Sequence, residues 1–479
     1  MGRAENYCPL LDYHTYSRFG GIVHLEVTLM AEMQGKVAVV GMGKTGLSVV
    51  RHLQRVHVEC ECFDEAAVKL PEDLAKVLLH TGVLQSEVFL GFEKVIVSPG
   101  IDWRHPALVE ARKCGVEVHG DLDEFLANYS STLIAVTGTN GKTTATQMIA
   151  LLLETLPKGC DAGGNIGVPM LDLLADGQPE RVALELSSFQ LERAKNLHPN
   201  YAVLLNVQAD HADMHASLEA YRAAKVRMFQ HMITGDTALL LNTLEWDGLA
   251  QDLQGRGVTV KRFGIVEQDD AAVAGVLCGE DGDAVFWHQG DMLKTLPCAS
   301  LMVRGRHQQQ NIAVAAQVAA DFGVSAKIIE EALMSFQGLE HRLEFVGHIQ
   351  DRDWFNDSKA TNPNAAVAAL TSFEQVVWIC GGVRKDLALD ELVDIAKKHV
   401  CFAYVIGENT KEYEAMLSQA GVSFVVSTTM GSAVRDAAAH DSDCPVLLSP
   451  AAASQDQYRH YAERGADYIQ AIRALGGES

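Results

Sequence analysis

From Lys36 onward, short runs of valine, isoleucine and leucine alternate with longer stretches of helical spacing, and the alternation continues along the chain. A parallel strand is buried on both faces and its connection must cross back over the sheet, so this pattern marks parallel sheets with crossover helices. The expected class is α/β. Three blocks are distinguishable. The first runs from "KVAVVGMGKTGLSVVRHL" through "VECECFD" and "KVIVSPG" to "VEVHGDLDEFLANY". The second opens with "TLIAVTG" and continues through "RVALELSS", "YAVLLNV" and "TALLLN", with residues 270–303 reading as short hairpins around a Gly-Glu-Asp-Gly-Asp turn at 279–283. The third holds five strand-like runs, "LEFVGHI", "QVVWICGG", "CFAYVIG", "VSFVV" and "PVLLSP". The expected boundaries are an extension over 1–34 and domains over 35–130, 131–340 and 341–479. A chain of 479 residues is also about three domains long at roughly 150 residues each.

Charge narrows the partners. The formal net charge of -23 argues against a nucleic-acid backbone or an anionic membrane as main partner, since both attract cations. No apolar run reaches the roughly 18–20 residues of a membrane span. The first residues lack a basic start followed by an apolar stretch, so they do not read as a signal peptide. Ten cysteines are scattered without a CxxC pair, and neither a zinc site nor a disulfide framework can be read from them.

"AVTGTNGKTT" (135–144) joins a buried-strand pattern to the helix-like "TTATQMIALLLETL". Backbone N–H groups at such a helix start have no intrahelical partner and the helix dipole favours negative charge; Lys142 adds a point charge and Thr143 a hydroxyl suited to magnesium. A full P-loop would carry glycine where this chain has Val136, so the phosphate cradle is shortened, with Gly138 and Gly141 as its flexible points. Magnesium also takes carboxylate oxygens. Glu185, ending the apolar run "RVALE", is a candidate because a buried acid needs a partner or a metal. Asp210, His211, Asp213 and His215 follow another strand, although histidine is not a typical magnesium ligand.

A second glycine loop, "GMGKTG" with Gly41, Gly43 and Gly46, follows the first strand, and Asp64 lies 23 residues beyond Gly41. Read alone, it indicates a dinucleotide-binding oxidoreductase.

Taken together, "GTNGKTT", "GGNIG" (163–167), "LELSSFQLE" (184–192) and "YRAAKVRMF" (221–229) resemble the Mur ligases, ATP-dependent amide-forming enzymes of peptidoglycan precursor synthesis. Folylpolyglutamate-type ligases share the shortened cradle. "NDSKATN" (356–362) and "LLSPAAASQDQY" (447–458) are similar to the branch that adds D-glutamate to UDP-N-acetylmuramoyl-L-alanine.

The resemblance implies a Rossmann-like N-terminal domain, a central P-loop ATPase-type parallel sheet with added hairpins and a C-terminal Rossmann-like doubly wound domain. It implies an acyl-phosphate mechanism with ATP and two Mg²⁺ sites, one bridged by a carbamylated lysine. Gly138, Thr139, Asn140, Gly141, Lys142, Thr143, Thr144, Gln308, Asn311, Arg342 and Asp357 would bind ATP, with Gln308 standing where the family usually has asparagine. Lys142, Glu185, His211 and Lys225 would be catalytic, and Thr143, Glu185, His211 and Lys225 would serve the metals. Lys225, beside Arg222 and Arg227, otherwise reads as a surface helix cation.

The UDP-sugar would meet Gly43, Lys44, Thr45, Gly46, Asp64, Ser98, Pro99, Gly100, Asn165, Ser187 and Gln190. D-glutamate would meet Lys359, Thr361, Lys385, Ser454 and Tyr461, the last in place of a phenylalanine. The implied partners are small molecules only, with no nucleic acid or membrane insertion, for a cytoplasmic monomer. The alternatives are another Mur ligase, a folylpolyglutamate-type ligase, a nicotinamide oxidoreductase and a non-catalytic nucleotide-binding scaffold.

Overall fold

A computed structural model describes residues 35–165, 167–208, 215, 217–267, 272–280, 282–383, 389–408 and 410–476. The first sheet contains β1 (Val37–Val40), β2 (Cys60–Asp64), β3 (Leu79–Thr81), β4 (Lys94–Val97) and β5 (Glu117–Gly120) in the order β3-β2-β1-β4-β5, all parallel. Every residue of β1 is buried, as its unbroken apolar run requires.

The second sheet contains β6 (Thr132–Thr137), β7 (Asp161–Gly164), β8 (Arg181–Glu185), β9 (Tyr201–Leu204), β10 (Thr237–Leu241), β11 (Thr259–Val266), β12 (Ala274–Leu277), β13 (Ala284–Gln289) and β14 (Met292–Pro297). Its order is β14-β13-β12-β11-β10-β9-β6-β8-β7. Only the β12-β13-β14 edge is antiparallel, which realises the hairpins expected over 270–303.

The third sheet contains β15 (Glu344–Ile349), β16 (Arg352–Asn356), β17 (Val376–Cys380), β18 (Val400–Ile406), β19 (Phe424–Thr428) and β20 (Val446–Leu448), ordered β15-β16-β20-β17-β18-β19. It has six strands where the sequence shows five runs. The addition is β16, "RDWFN", whose polar start hides it. It pairs antiparallel with β15 through a turn in which Gln350 and Asp351 have φ of 54° and 58°. Positive φ at both central residues is the geometry of a tight primed hairpin turn, but the usual Asn-Gly signal is missing. β7, "DAGG", escapes a sequence reading for a similar reason, since small residues carry no apolar pattern.

The cores are unequally shared. One contiguous apolar cluster joins Val37, Val39 and Ile96 of the first sheet to Leu133, Leu184 and Leu204 of the second. The helix Lys44–Arg55 adds polar bonds across the same junction: Ser48 Oγ donates to Asp172 (2.8 Å) and Arg55 to the Leu171 carbonyl (2.8 Å). The two clusters of the third sheet contain only its own residues, from Leu343 onward.

Candidate active site

β6 lies where the second sheet reverses its direction of winding, with β8 and β7 on one side and β9 to β11 on the other. Open α/β sheets bind ligands at the carboxyl ends of strands at such a switch point. The loop after β6 opens the helix Lys142–Leu153, and Gly141 sits there at φ 83°. A side chain at Gly141 would be strained, and its Cβ would come within 2.5 Å of the Asn311 amide.

Asn206 pins the loop, its side-chain oxygen accepting from the backbone N–H of Thr139 (3.1 Å) and Asn140 (2.9 Å). Lys142 Nζ donates to the carbonyls of Gly138 (3.0 Å) and Thr139 (2.8 Å). Beneath it lies Lys225, only 1% exposed, donating to the Gly138 carbonyl (2.8 Å) and lying 4.5 Å from the Tyr221 ring centroid. Lys225 is therefore no surface cation.

Glu185, at the end of β8, is 2% exposed. It accepts from Thr143 Oγ1 (2.9 Å) and from the Asn165 amide (3.2 Å). Arg342 donates to Thr143 Oγ1 from the segment entering the third sheet. A cation, a hydroxyl and a carboxylate thus converge at the helix start, and burial lowers the Arg342 guanidinium against the pull of Glu185.

These groups line a cleft of about 530 Å³ between the second and third sheets. Thr139 to Thr144, Asn165 and Glu185 form one wall, His307, Gln308 and Asn311 another, and Asp357, Lys359 and Thr361 the facing side. His307 was not singled out in the sequence; burial pushes its imidazole down to about 4, so it is neutral at neutral pH. Asp357 accepts from Ser449 Oγ (3.0 Å) and the Leu343 N–H (3.1 Å), yet burial pushes its carboxyl up to about 7.

Lys359 Nζ stands 3.9 Å from the centroid of the Tyr461 ring, a close cation–π contact. Ser454 is buried, as is Arg464, which the sequence analysis does not single out. Arg464 is 1% exposed and donates to the carbonyls of Ser358, Ala452 and Ala453. It thereby ties the strand-end loops of the third sheet together.

The first domain's glycine loop stands apart from this cleft. Gly46 packs so tightly on it that a Cβ would lie 1.9 Å from the Gly41 carbonyl oxygen. Asp64 accepts from the Met42 N–H (2.7 Å) and Ser98 Oγ donates to the Gly41 carbonyl (2.7 Å). Gly43, Lys44 and Gly100 are exposed and Thr45 and Pro99 half-buried.

Three expected substrate contacts carry hydrogen bonds within the protein. Ser187 and Gln190 form a capping box at the helix Ser188–Arg193, and Gln190 also donates to Asp121 of the first domain (3.0 Å). Asn165 is bonded to Glu185. His215 hydrogen-bonds Ser188 (2.9 Å). Asp210, His211, Asp213 and Lys385 lie outside the described residues.

Known proteins match this arrangement along nearly the whole chain. The description "Mur ligase MurD-like, N-terminal domain" matches residues 35–120, "Mur ligase middle domain" 136–319, and "Mur ligase, glutamate ligase domain" 341–451. The UDP-N-acetylmuramoylalanine–D-glutamate ligase of Methylococcus capsulatus is 35% identical over 456 residues, covering 94% of this chain and 97% of that protein. The enzyme of the same name from Pseudomonas fluorescens is 33% identical, covering 91% and 97%.

Among solved structures, the UDP-N-acetylmuramate-alanine ligase MurC of Thermotoga maritima shares the fold, with a TM-score of 0.58, 18% identity and 92% and 99% of the two chains covered. So does the MurF ligase of Thermotoga maritima in complex with ADP, with a TM-score of 0.56, 19% identity and 93% and 97% covered. With sequence matches spanning all three sheets, the chain belongs to the Mur ligase family of ATP-dependent ligases.

Proposed function

We propose that this chain joins D-glutamate to UDP-N-acetylmuramoyl-L-alanine, with ATP converted to ADP and phosphate, as a cytoplasmic step of peptidoglycan precursor synthesis. The observation that carries the reading is the single cleft in which the phosphate-loop residues Lys142 and Thr143 face Lys359 and Thr361 of the third domain. The relatives named for this reaction support the choice of substrates.

The chemistry follows from the groups present. The L-alanine carboxylate attacks the γ-phosphorus of ATP, forming a P–O bond as ADP leaves, and Lys142 and Arg342 offset the charge on the transferring phosphoryl. The D-glutamate amine then attacks the acyl carbon, loses a proton and expels phosphate from a tetrahedral intermediate. Asn311, Gln308 and Asp357 hold the nucleoside end. Lys359, Thr361, Lys385, Ser454 and Tyr461 receive the dicarboxylate, which needs cations and hydroxyl donors.

The adjoining Thr143 hydroxyl and Glu185 carboxylate are hard oxygen donors and fit magnesium. That ion would supply Lewis-acid stabilisation of phosphoryl charge. His211 and Lys225, the latter as a carbamate, complete the proposed ligand set.

The test is phosphate release from ATP and magnesium with UDP-N-acetylmuramoyl-L-alanine, adding D-glutamate, L-glutamate or no amino acid. Release dependent on D-glutamate is the expected result. Release only with another amino acid or a folate would remove the acceptor assignment, and no release in any arm would remove the reaction.

A further inference from the structure

The loop Ser98–Ile101 is held on two sides. On one side it packs against the glycine loop: Ser98 Oγ bonds the Gly41 carbonyl, and a Cβ at Gly41 would lie 2.8 Å from the Ile101 side chain. On the other side a residue of a different domain holds it. Arg193, the last residue of the helix Ser188–Arg193, is 6% exposed and donates to three carbonyls of the loop. Its Nη1 reaches Ser98 (3.0 Å), and its Nη2 reaches Pro99 (3.2 Å) and Ile101 (2.6 Å).

The guanidinium also lies 5.1 Å from the Trp103 ring centroid. Arg112 lies 4.5 Å from the same ring and bonds the Trp103 carbonyl (2.7 Å). A planar donor that bonds several carbonyls of one loop favours a single conformation, because releasing the buried Ser98 carbonyl leaves a polar group unpaired.

The other end of this short helix starts beside the reaction centre. Ser187 caps it two positions after Glu185, and Gln190 bonds Asp121 of the first domain. The helix therefore spans from the carboxylate bonded to Thr143 to the loop carrying Ser98, Pro99 and Gly100.

We propose that Arg193 is a positioning residue for the uridine-nucleotide site, clamping the Ser98–Ile101 loop from the central domain and fixing its place relative to Glu185. This rests on the reading that the first domain holds the UDP portion of the substrate. A matched control exists in Arg256, which donates to the carbonyls of Phe229, Gln230 and Met232 within the central domain. A guanidinium that serves stability alone would behave as Arg256 does.

The experiment measures the Kd of UDP-N-acetylmuramoyl-L-alanine by calorimetry, and KM for each substrate, in the full chain and in Arg193→Met, Arg193→Lys and Arg256→Met. A displacement of about 1 Å by a distant mutation can cost about a hundredfold in a catalysed step, and a smaller loss is expected where the displaced loop serves binding. Arg193→Met should accordingly raise that Kd roughly tenfold or more, with KM for ATP and D-glutamate within about twofold.

Arg193→Lys, which keeps the charge and one donor, should rise less, by about threefold; it also carries the test if the methionine variant does not fold. Arg256→Met should lower Tm with Kd within about twofold of the parent. An unchanged Kd in a folded Arg193 variant, or an equal rise in Arg256→Met or in all three substrates, overturns the proposal alone. A parent chain that binds no uridine nucleotide overturns the UDP reading as well.

Discussion

Lys142 is half-buried and donates to two carbonyls of its own loop, so its removal deletes a charge from the cleft without opening a cavity. Lys142→Ala should lower turnover by about a thousandfold or more while circular dichroism and Tm stay near parental values. Asp357 yields a pH prediction. Its folded value of about 7 lies above the unfolded value of about 4, so the folded state binds more protons in between. The stability it contributes is full below about pH 4 and falls as pH rises toward 7. Asp357→Asn removes this dependence: relative to the parent, the variant should gain stability in denaturant titrations from pH 4 to 7 and then level off. The placement of Gly141, Lys142 and Thr143 together at the cleft was legible because they are neighbours in one contiguous motif. Lys225, Arg193 and Arg464 were not legible as buried donors, because their partners are carbonyls brought close only by the tertiary fold.

At the scale of elements, strands that are buried on both faces announced themselves, and those built from polar or small residues did not. β16 is the instructive case, since its turn uses Gln350 and Asp351 where glycine and asparagine are favoured. Replacing the pair by Asn-Gly should relieve left-handed strain and stabilise the third domain by about 1 kcal/mol, read as a shift in the denaturant midpoint at constant m. The segment that precedes this hairpin is also left-handed, at His341 (φ 62°) and Leu343 (φ 51°), on either side of Arg342. These two residues aim the arginine at Thr143, a geometry with no sequence signature because neither is glycine. The first glycine loop shows the opposite limit: its spacing was plain, but the same spacing serves dinucleotides and other ligands, so the loop itself does not fix its ligand.

For the whole molecule, the distribution of apolar clusters predicts how it comes apart. The first two domains share one cluster in addition to one that each keeps to itself, whereas the clusters of the third contain only its own residues. Calorimetry should resolve two transitions, and the one assigned to residues 35–340 should stay undivided. A single transition for the whole chain, or a separate one for residues 35–130, would contradict this reading of the cores. ATP should raise the transition assigned to residues 35–340 by mass action, since it binds only the folded form. The architecture also sets the terms on which evolution or a designer can recombine the chain. An exchange at residue 340 transfers a module with apolar clusters of its own that carries Lys359 and Thr361 of the cleft, and under the proposed function it would carry the amino-acid specificity. An exchange at residue 130 cuts through shared side-chain packing and must be matched by compensating substitutions on both sides. The third domain is inheritable as a cassette, whereas the first two are inherited together.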